Sequence, residues 1–213
     1  MDAAEARAGS ETILPPPLDT LGAVLTRRAE RFKPVKPSAR RDAGVLIPFF
    51  QRAGRLHLIF FRRSGRVPTH RGQVAFPGGA GEPEDADLLA TALREAREEL
   101  GIDPSRVRLL GRLQPFDTFA SNFIVHPFCG FIEGADAHFG VVDPFEVAEV
   151  LEVPFDALSD PDNRHRGLVP GFRHIPYPLP YYDIDGTVIW GVTGAIVAEL
   201  LEAMEEAYAA TSG

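Results

Sequence analysis

Cysteine and long apolar segments are both scarce in this chain of 213 residues. A single cysteine, Cys129, excludes an intrachain disulfide and any zinc site built on several cysteines. The longest apolar candidate, residues 188–201, contains Glu199 and two glycines and falls short of the roughly 18 apolar residues typical of a membrane-spanning helix. The amino-terminal residues also lack the charged, apolar and small-residue order of a secretory signal. We therefore expect a cytoplasmic protein with no membrane partner.

Acidic residues are absent from Ala43 to Gly81. This stretch contains six arginines: Arg52, Arg55, Arg62, Arg63, Arg66 and Arg71. The residues that follow, 82–99, contain seven acidic side chains. The formal net charge of −8 disfavours general binding to nucleic acid. We expect no nucleic-acid partner, and a positive segment that directly adjoins a negative one in sequence.

The composition, 45% hydrophobic and 24% charged, is that of an ordinary globular protein. A typical size of about 150 residues per domain suggests one domain with an extension. We predict that residues 1–40 form an N-terminal arm with one helix, in residues 19–32, and a proline-rich linker. Residues 41–208 then form the folded domain, and residues 209–213 form a flexible tail.

Apolar and aromatic runs predict a hairpin of two strands, residues 44–50 and 56–62, with Arg52, Ala53 and Gly54 as the turn. The other expected elements are strands at 73–76, 107–113 and 122–132, a segment 145–153 leading into Pro154 and a short helical turn, a loop at 159–172, and a closing helix after Trp190 that ends near Tyr208. Strand runs interleaved with helices indicate a mixed sheet covered by helices, an α/β or α+β sandwich.

A helix is predicted from about Ala86 to Leu100, with Asp85 as its N-terminal cap and Gly101 as its stop. Apolar residues recur along it at intervals of three and four, so one side is expected to be buried. The preceding Phe76-Pro77-Gly78-Gly79 cannot be helical. Glycine turn, cap and helix are thus expected to form one unit.

Glu95, Glu98 and Glu99 occupy positions i, i+3 and i+4, so they share one face of this helix. The three negative charges on this face repel one another unless a cation lies close to them. The cation can be a neighbouring arginine, Arg94 or Arg97, which would make this an ordinary solvated helix face. It can also be a hard metal ion such as Mg²⁺ or Mn²⁺, which prefers oxygen ligands.

The full string from Phe76 to Ile102, FPGGAGEPEDADLLATALREAREELGI, closely resembles the Nudix box, the glycine loop and helix of the Nudix hydrolases. One extra residue lies between Gly79 and Arg94, which makes Asp85 the counterpart of the first acid of the box. This spacing is similar to that of the coenzyme A diphosphatase (CoA pyrophosphatase) branch. The adjoining RRSGRVPTHRGQVAFPGG, from Arg62 to Gly79, also matches the signature that this branch carries upstream of the box.

The resemblance implies a Nudix-type α/β/α sandwich with a mixed β-sheet. It also implies attack of water on a diphosphate that depends on Mg²⁺ or Mn²⁺. With coenzyme A or its thioesters as the small-molecule substrate, the products would be 3′,5′-ADP and (acyl-)4′-phosphopantetheine. A second copy of the chain, in a homodimer, is the protein partner that the sequence leaves open.

The resemblance also assigns roles to single residues. Glu95 and Glu99 are the expected metal ligands, and Glu98 is a third ligand or the catalytic base. Glu146 and Glu149 are alternative carboxylates for the base. The other expected contributors are Gly78 and Gly79, which let the loop pass close to the metal, Arg94, which steadies a glutamate, and Arg62, Arg63 and Arg71, which bind phosphate oxygens.

Two other functions remain open at this point. The same chemistry could act on ADP-ribose or another nucleoside diphosphate derivative, because the box determines the reaction and leaves the flanking pocket open. The chain could instead be a non-catalytic Nudix-fold binding module. Such modules commonly lose glutamates of the box, whereas all three are present here.

Overall fold

The computed structural model describes residues 18–32, 39–118, 122–134, 139–170 and 178–211. Its helices are α1 Leu18–Ala29, α2 Leu88–Leu100, α3 Phe155–Ser159 and α4 Gly191–Thr211. Its strands are β1 Arg41–Arg52, β2 Arg55–Arg63, β3 Val74–Ala75, β4 Gly78–Ala80, β5 Val107–Arg112, β6 Phe116–Asp117, β7 Phe123–Ile132, β8 Val147–Pro154, β9 Arg164–Gly167, β10 Leu179–Ile184 and β11 Thr187–Trp190.

The main sheet has the strand order β3-β2-β1-β7-β5, and β4, β6 and β8 pair with β1, β7 and β2 respectively. β1 and β7 run parallel, whereas the other pairs in this sheet are antiparallel. The predicted mixed sheet is therefore confirmed. β1 and β2 form the predicted hairpin, and its turn places Ala53 and Gly54 at positive φ.

Helices cover both faces of this sheet. Alternate residues of each strand point to opposite sides, so one strand contributes to a core on each face. On β1, Ile47 and Phe49 pack into a core formed with α1 and α4. Leu46 and Phe50, on the opposite side of the same strand, pack into a second core formed with α2. The predicted α/β/α sandwich is confirmed by these two cores.

The helix expected in residues 19–32 is α1, and its apolar side is fully enclosed. Leu18, Leu21, Val24 and Leu25 are each 0% exposed and belong to the core shared with α4. This helix is therefore part of the folded body and is not a separate arm. Residues 1–17 and 33–38 of the predicted arm and linker lie outside the described residues, and the domain boundaries themselves stay a prediction.

The carboxyl-terminal third differs from its prediction in two ways. β9 and a short 3₁₀ turn, Pro161–Asn163, lie within the segment predicted as a loop, and β9, β10 and β11 form a second, antiparallel sheet. α4 starts after Trp190 as predicted but continues to Thr211, so the predicted tail is helical over residues 209–211. The reason is tertiary: the Thr20 hydroxyl of α1 lies 3.1 Å from that of Thr211. Within the described ranges, the chain has no helix with the length and apolar character needed to cross a bilayer.

Candidate active site

The ends of α2 show how this helix is positioned. Asp87 caps its start, with its carboxylate accepting a 2.8 Å hydrogen bond from the backbone N–H of Ala90. The predicted start at Ala86 and the predicted cap Asp85 were therefore wrong by two residues. Gly101 ends the helix at φ 70°, a conformation that glycine adopts without strain, as predicted.

Two glycines allow the helix and the glycine loop to approach β1 closely. A Cβ atom on Gly44 of β1 would collide with the carbonyl oxygen of Leu88, in the first turn of α2. A Cβ on Gly78 would lie 2.5 Å from the carbonyl oxygen of Gly44. Both contacts are shorter than any side chain tolerates, so α2, β1 and β4 stack here only because these residues are glycines.

Glu99 lies against the glycine loop and is 4% exposed. Its carboxylate accepts a 3.1 Å hydrogen bond from the backbone N–H of Gly78. Burial raises the pKa of Glu99 to about 8, with a further upward contribution from the charge of Glu95, while the Gly78 hydrogen bond opposes the shift. Glu99 is thus a buried carboxyl group whose negative charge is poorly compensated.

Glu95, one turn earlier, lies beneath the next glycine. A Cβ atom on Gly79 would lie 2.6 Å from Cδ of the Glu95 carboxylate, so any larger residue here would displace the end of this side chain. Burial raises the pKa of Glu95, although the adjacent Arg94 guanidinium acts in the opposite direction. Gly78 therefore donates a hydrogen bond to one predicted metal ligand, Glu99. Gly79 leaves the space that the other predicted ligand, Glu95, occupies.

Arg94 is the centre of an ion-pair network at the exposed edge of the helix. Its guanidinium donates two 3.1 Å hydrogen bonds to the Asp85 carboxylate and 3.0 Å hydrogen bonds to Glu95 and Glu98. The hydrogen bonds from Arg94 are the main reason that the pKa of Asp85 falls well below its usual range. Asp85 thus positions Arg94, and Arg94 in turn binds Glu95 and Glu98. These bonds agree with the steadying role predicted for Arg94.

The three predicted metal ligands do not converge in this structure. Glu95 and Glu98 face Arg94, whereas Glu99 faces the loop, and Glu98 remains 51% exposed. Over the described part of the chain, no three carboxylate, histidine or cysteine side chains are grouped as a metal site. The donor chemistry nevertheless fits a hard divalent cation. Glu99 is buried and Glu95 is partly buried, both have raised pKa values, and they lie one turn apart on the same helix, so a cation held by them would supply positive charge that this part of the site lacks.

Glu146 and Arg63 complete the surroundings of the pair. The charge of Glu146, just before β8, adds to the raised pKa of both Glu95 and Glu99, whereas the charge of Arg63 lowers the pKa of Glu99. A guanidinium nitrogen of Arg63 lies 3.7 Å from the Glu146 carboxylate. The positive and negative segments of the sequence therefore meet at this point.

The other predicted arginines lie elsewhere. Arg62 points to the opposite side of the sheet from Arg63, where its Nε donates a 2.6 Å hydrogen bond to Glu149 on β8. Arg71 donates from its Nε to the carbonyl oxygen of Val67, within its own loop, at 2.8 Å. Of the predicted alternatives for the base, Glu149 is thus paired on the far face and Glu146 lies with the glutamate pair.

Residues 40–172, which include this whole site, match the family model described as the NUDIX domain. The chain belongs to the Nudix hydrolase family. A Yersinia enterocolitica protein named as an uncharacterized Nudix hydrolase NudL is 40% identical over 165 residues, covering 75% of this chain and 80% of its own. A Citrobacter koseri protein of the same name is 38% identical over 178 residues, covering 80% and 89%. A crystal structure of a Deinococcus radiodurans protein covers 79% of this chain and 88% of its own, with 19% identity and a TM-score of 0.48.

The predicted family is thereby confirmed, and with it the prediction of an enzyme. Nudix hydrolases generally use divalent metal cations, in agreement with the carboxylate pair. In this chain the Nudix box corresponds to β4, the turn after it and α2, so its glycines and glutamates are adjacent in space as well as in sequence.

Sequence reasoning missed two buried hydroxyl residues of the Nudix site. Thr91 on α2 is 0% exposed and donates a 2.8 Å hydrogen bond to Asp85, which reinforces the hold on Arg94. Ser64 is 5% exposed and contacts the segment that carries Glu146. Ser64 belongs to the Arg-Ser pair of the upstream signature, so a signal was present, but its partner is 82 residues away in the chain.

Proposed function

We propose that the protein hydrolyses the diphosphate of coenzyme A or its thioesters to 3′,5′-ADP and (acyl-)4′-phosphopantetheine, with Mg²⁺ or Mn²⁺. The reaction class follows from the Nudix site, and the observation that carries it is the pair of buried Glu99 and partly buried Glu95 against two glycines. The choice of coenzyme A is supported by the signature from Arg62 to Gly79 and by the extra residue in the box. We also expect a cytoplasmic location, and a homodimer stays a prediction.

The proposed metal ligands are Glu95 and Glu99, with Glu98 as a third once Arg94 releases it. When bound, the cation offsets negative charge on the phosphoryl oxygens and lowers the pKa of a coordinated water. Burial of the carboxylates favours binding of the cation, because electrostatic attraction is stronger away from water. Arg94 stays anchored by Asp85, so exchange of its contacts to Glu95 and Glu98 leaves the arginine in place.

Glu146 is the proposed catalytic base, the residue that orients the attacking water. Its charge acts on both members of the glutamate pair, as expected for a carboxylate that faces them. Glu98 is weaker as a candidate because its carboxylate is bound by Arg94 and its side chain is 51% exposed. Glu149 is weaker still, because Arg62 holds it on the opposite side of the sheet.

Arg63 is the proposed phosphate-binding residue. Its side chain is 23% exposed, lies 3.7 Å from the Glu146 carboxylate and acts on the pKa of Glu99, so it would be available to a phosphate group held at these glutamates. A guanidinium binds phosphate oxygens through a planar fork of donors, which suits this position. Contacts from Arg62 and Arg71 to the substrate stay predictions.

The deciding experiment compares kcat/KM on coenzyme A, an acyl-CoA, ADP-ribose and NADH, with the products identified by mass spectrometry. We expect coenzyme A or its thioester to be preferred and 3′,5′-ADP to be released. Addition of a chelator should abolish turnover, and excess Mg²⁺ should restore it. A clear preference for ADP-ribose would overturn the coenzyme A assignment and leave the metal chemistry intact. Turnover that is unaffected by the chelator would overturn the metal chemistry itself.

A further inference from the structure

Ser64 follows directly after β2 and is hydrogen-bonded to the segment that precedes β8. Its backbone N–H donates a 2.7 Å hydrogen bond to the carbonyl oxygen of Glu146. Its side-chain hydroxyl donates to the carbonyl oxygen of Phe145, the residue before. A buried residue thus bonds two consecutive carbonyl groups, one of them belonging to the proposed catalytic base.

The local sheet geometry explains why Ser64 lies opposite Glu146. The register between β2 and β8 shifts after Arg62: Arg62 pairs with Glu149, but Arg63 pairs with Val147. Such an irregularity interrupts the ladder and re-aims the side chains that follow it. The Ser64–Glu146 backbone hydrogen bond continues the register of Arg63 and Val147 past the end of β8, and the Ser64 hydroxyl adds a second bond, to Phe145.

The hydroxyl of Ser64 is itself held in position. It accepts a 3.0 Å hydrogen bond from the backbone N–H of Arg66 while it donates to Phe145. A hydroxyl that donates and accepts at once has a defined orientation and no free rotation. The remaining hold on the Glu146 side chain is the 3.7 Å ion pair with Arg63, which is partly exposed and weak in geometry.

A second set of backbone bonds ties the same segment to α2. The N–H of Gly140 donates to the carbonyl oxygen of Leu100 at 3.0 Å, and that of Val142 donates to the carbonyl oxygen of Glu99 at 3.1 Å. The segment therefore runs from the end of the glutamate helix, which fixes one end, to Ser64, which fixes the other. Its placement relative to Glu95 and Glu99 depends on both attachments.

We infer that Ser64 is a positioning residue that holds Glu146 against the Glu95–Glu99 pair. This inference rests on the proposed function, because it gives Ser64 a role through Glu146. Ser64 itself does not touch substrate or metal. Displacement of a catalytic group by about 1 Å can reduce the rate about 100-fold, so loss of the hydroxyl should be visible in kcat.

The test is a double-mutant cycle with Ser64→Ala and Glu146→Gln, assayed on the substrate that the comparison above identifies. We expect Ser64→Ala to lower kcat by about 10-fold to 100-fold with little change in KM. In the Glu146→Gln background the same change should cost less than about twofold, because both act through one group. Ser64→Thr, which keeps the hydroxyl, should retain more activity than Ser64→Ala.

Ser159→Ala is the matched control, since that exposed serine also donates its hydroxyl to a backbone carbonyl, that of Asp156. All variants are assayed well below their melting temperatures, so a partly unfolded variant is not mistaken for a slow one. Unchanged kcat in Ser64→Ala, or an equal loss in both backgrounds, overturns the inference and leaves the proposed function standing. Full activity in Glu146→Gln removes Glu146 from the chemistry, and the inference falls with it.

Discussion

Glu99 and Glu199 are buried glutamates on helices that cover opposite faces of the same sheet. They are 4% and 7% exposed, and burial raises the pKa of each. Glu199, on α4, accepts a 3.3 Å hydrogen bond from the backbone N–H of Gln114. Glu99 has two further carboxylates close enough to add to its shift, Glu95 and Glu146.

Depth of burial therefore does not separate the proposed metal ligand Glu99 from Glu199. Around Glu199 lie the apolar core and Cys129, and two charged side chains act on this glutamate in opposite directions: Arg28 lowers its pKa and Glu202 raises it. Around Glu99, two further carboxylates, the Arg63 guanidinium and the glycine loop meet. The difference lies in the clustering of charge and not in the depth of burial.

Replacing each glutamate by glutamine gives the largest expected contrast. Glu99→Gln should lower kcat/KM by about 100-fold or more, because loss of groups that only orient metal ligands already costs about 10-fold to 100-fold. Glu199→Gln should leave kcat/KM within about twofold. Steady-state kinetics checks both, with thermal melting to show that the fold is kept. Near-normal activity of Glu99→Gln would remove its assignment as a metal ligand.

Two glycines of the same loop give the second contrast. Gly79→Ala would place a methyl group on the Glu95 carboxylate and displace it, so we expect about a tenfold or greater loss of kcat with little loss of stability, because the end of this flexible side chain can move. A Cβ on Gly81 would lie 3.5 Å from Leu88, an ordinary contact. Gly81→Ala is therefore the control and should be close to wild type in kinetics and in denaturant unfolding. Equal behaviour of the two variants would contradict the close approach at Gly79.

The third contrast is between Arg62 and Arg63, which are neighbours in the chain but lie on opposite faces of β2. Arg63→Ala should raise KM about tenfold, since a charged hydrogen bond contributes about 1.5–3 kcal/mol. Arg62→Ala should change KM by less than about twofold, because its guanidinium is engaged by Glu149 on the other face. The measurement is KM on the preferred substrate at fixed ionic strength. A larger effect at Arg62 would show that substrate binding draws this residue away from Glu149.

The smallest expected effect is on stability and depends on pH. Because the pKa of Glu199 is raised in the folded state, the unfolded chain loses its proton first as the pH rises past about 4.3. Unfolding is therefore favoured progressively between that pH and the folded pKa, and the penalty persists above it. Glu199→Gln removes the charge and keeps an acceptor for Gln114.

Glu199→Gln should therefore melt at a higher temperature than wild type at pH 7, because the raised pKa of Glu199 costs stability at that pH. The difference should vanish below about pH 4, where both states of the wild type are protonated. Calorimetry at several pH values checks this. A gain that is the same at all pH values would show that packing, and not the charge, is responsible.

Local patterns predicted the elements that are continuous in sequence. The hairpin of β1 and β2, the end of α2 at Gly101 and the start of α4 after Trp190 were all visible from apolar runs and glycine positions. The start of α2 was placed two residues early, because Asp85 and Asp87 are equally good caps in isolation. Arg94 decides between them because it binds the Asp85 carboxylate. Cap propensities describe neighbouring residues only, so they could not predict an ion pair between residues nine apart.

By itself, the sequence determined the family, the fold class and the carboxylates of the Nudix box, because these depend on residue types at short, regular spacing. The tertiary structure alone decided which neighbours act on them. Arg62 and Arg63 are adjacent in the chain, yet the alternation of β2 sends them to opposite faces. Ser64 meets Glu146, and Glu99 meets Gly78, only because the sheet and α2 bring distant segments together. Burial and charge clustering arise from that packing, and they turn an acidic helix face into a candidate metal site.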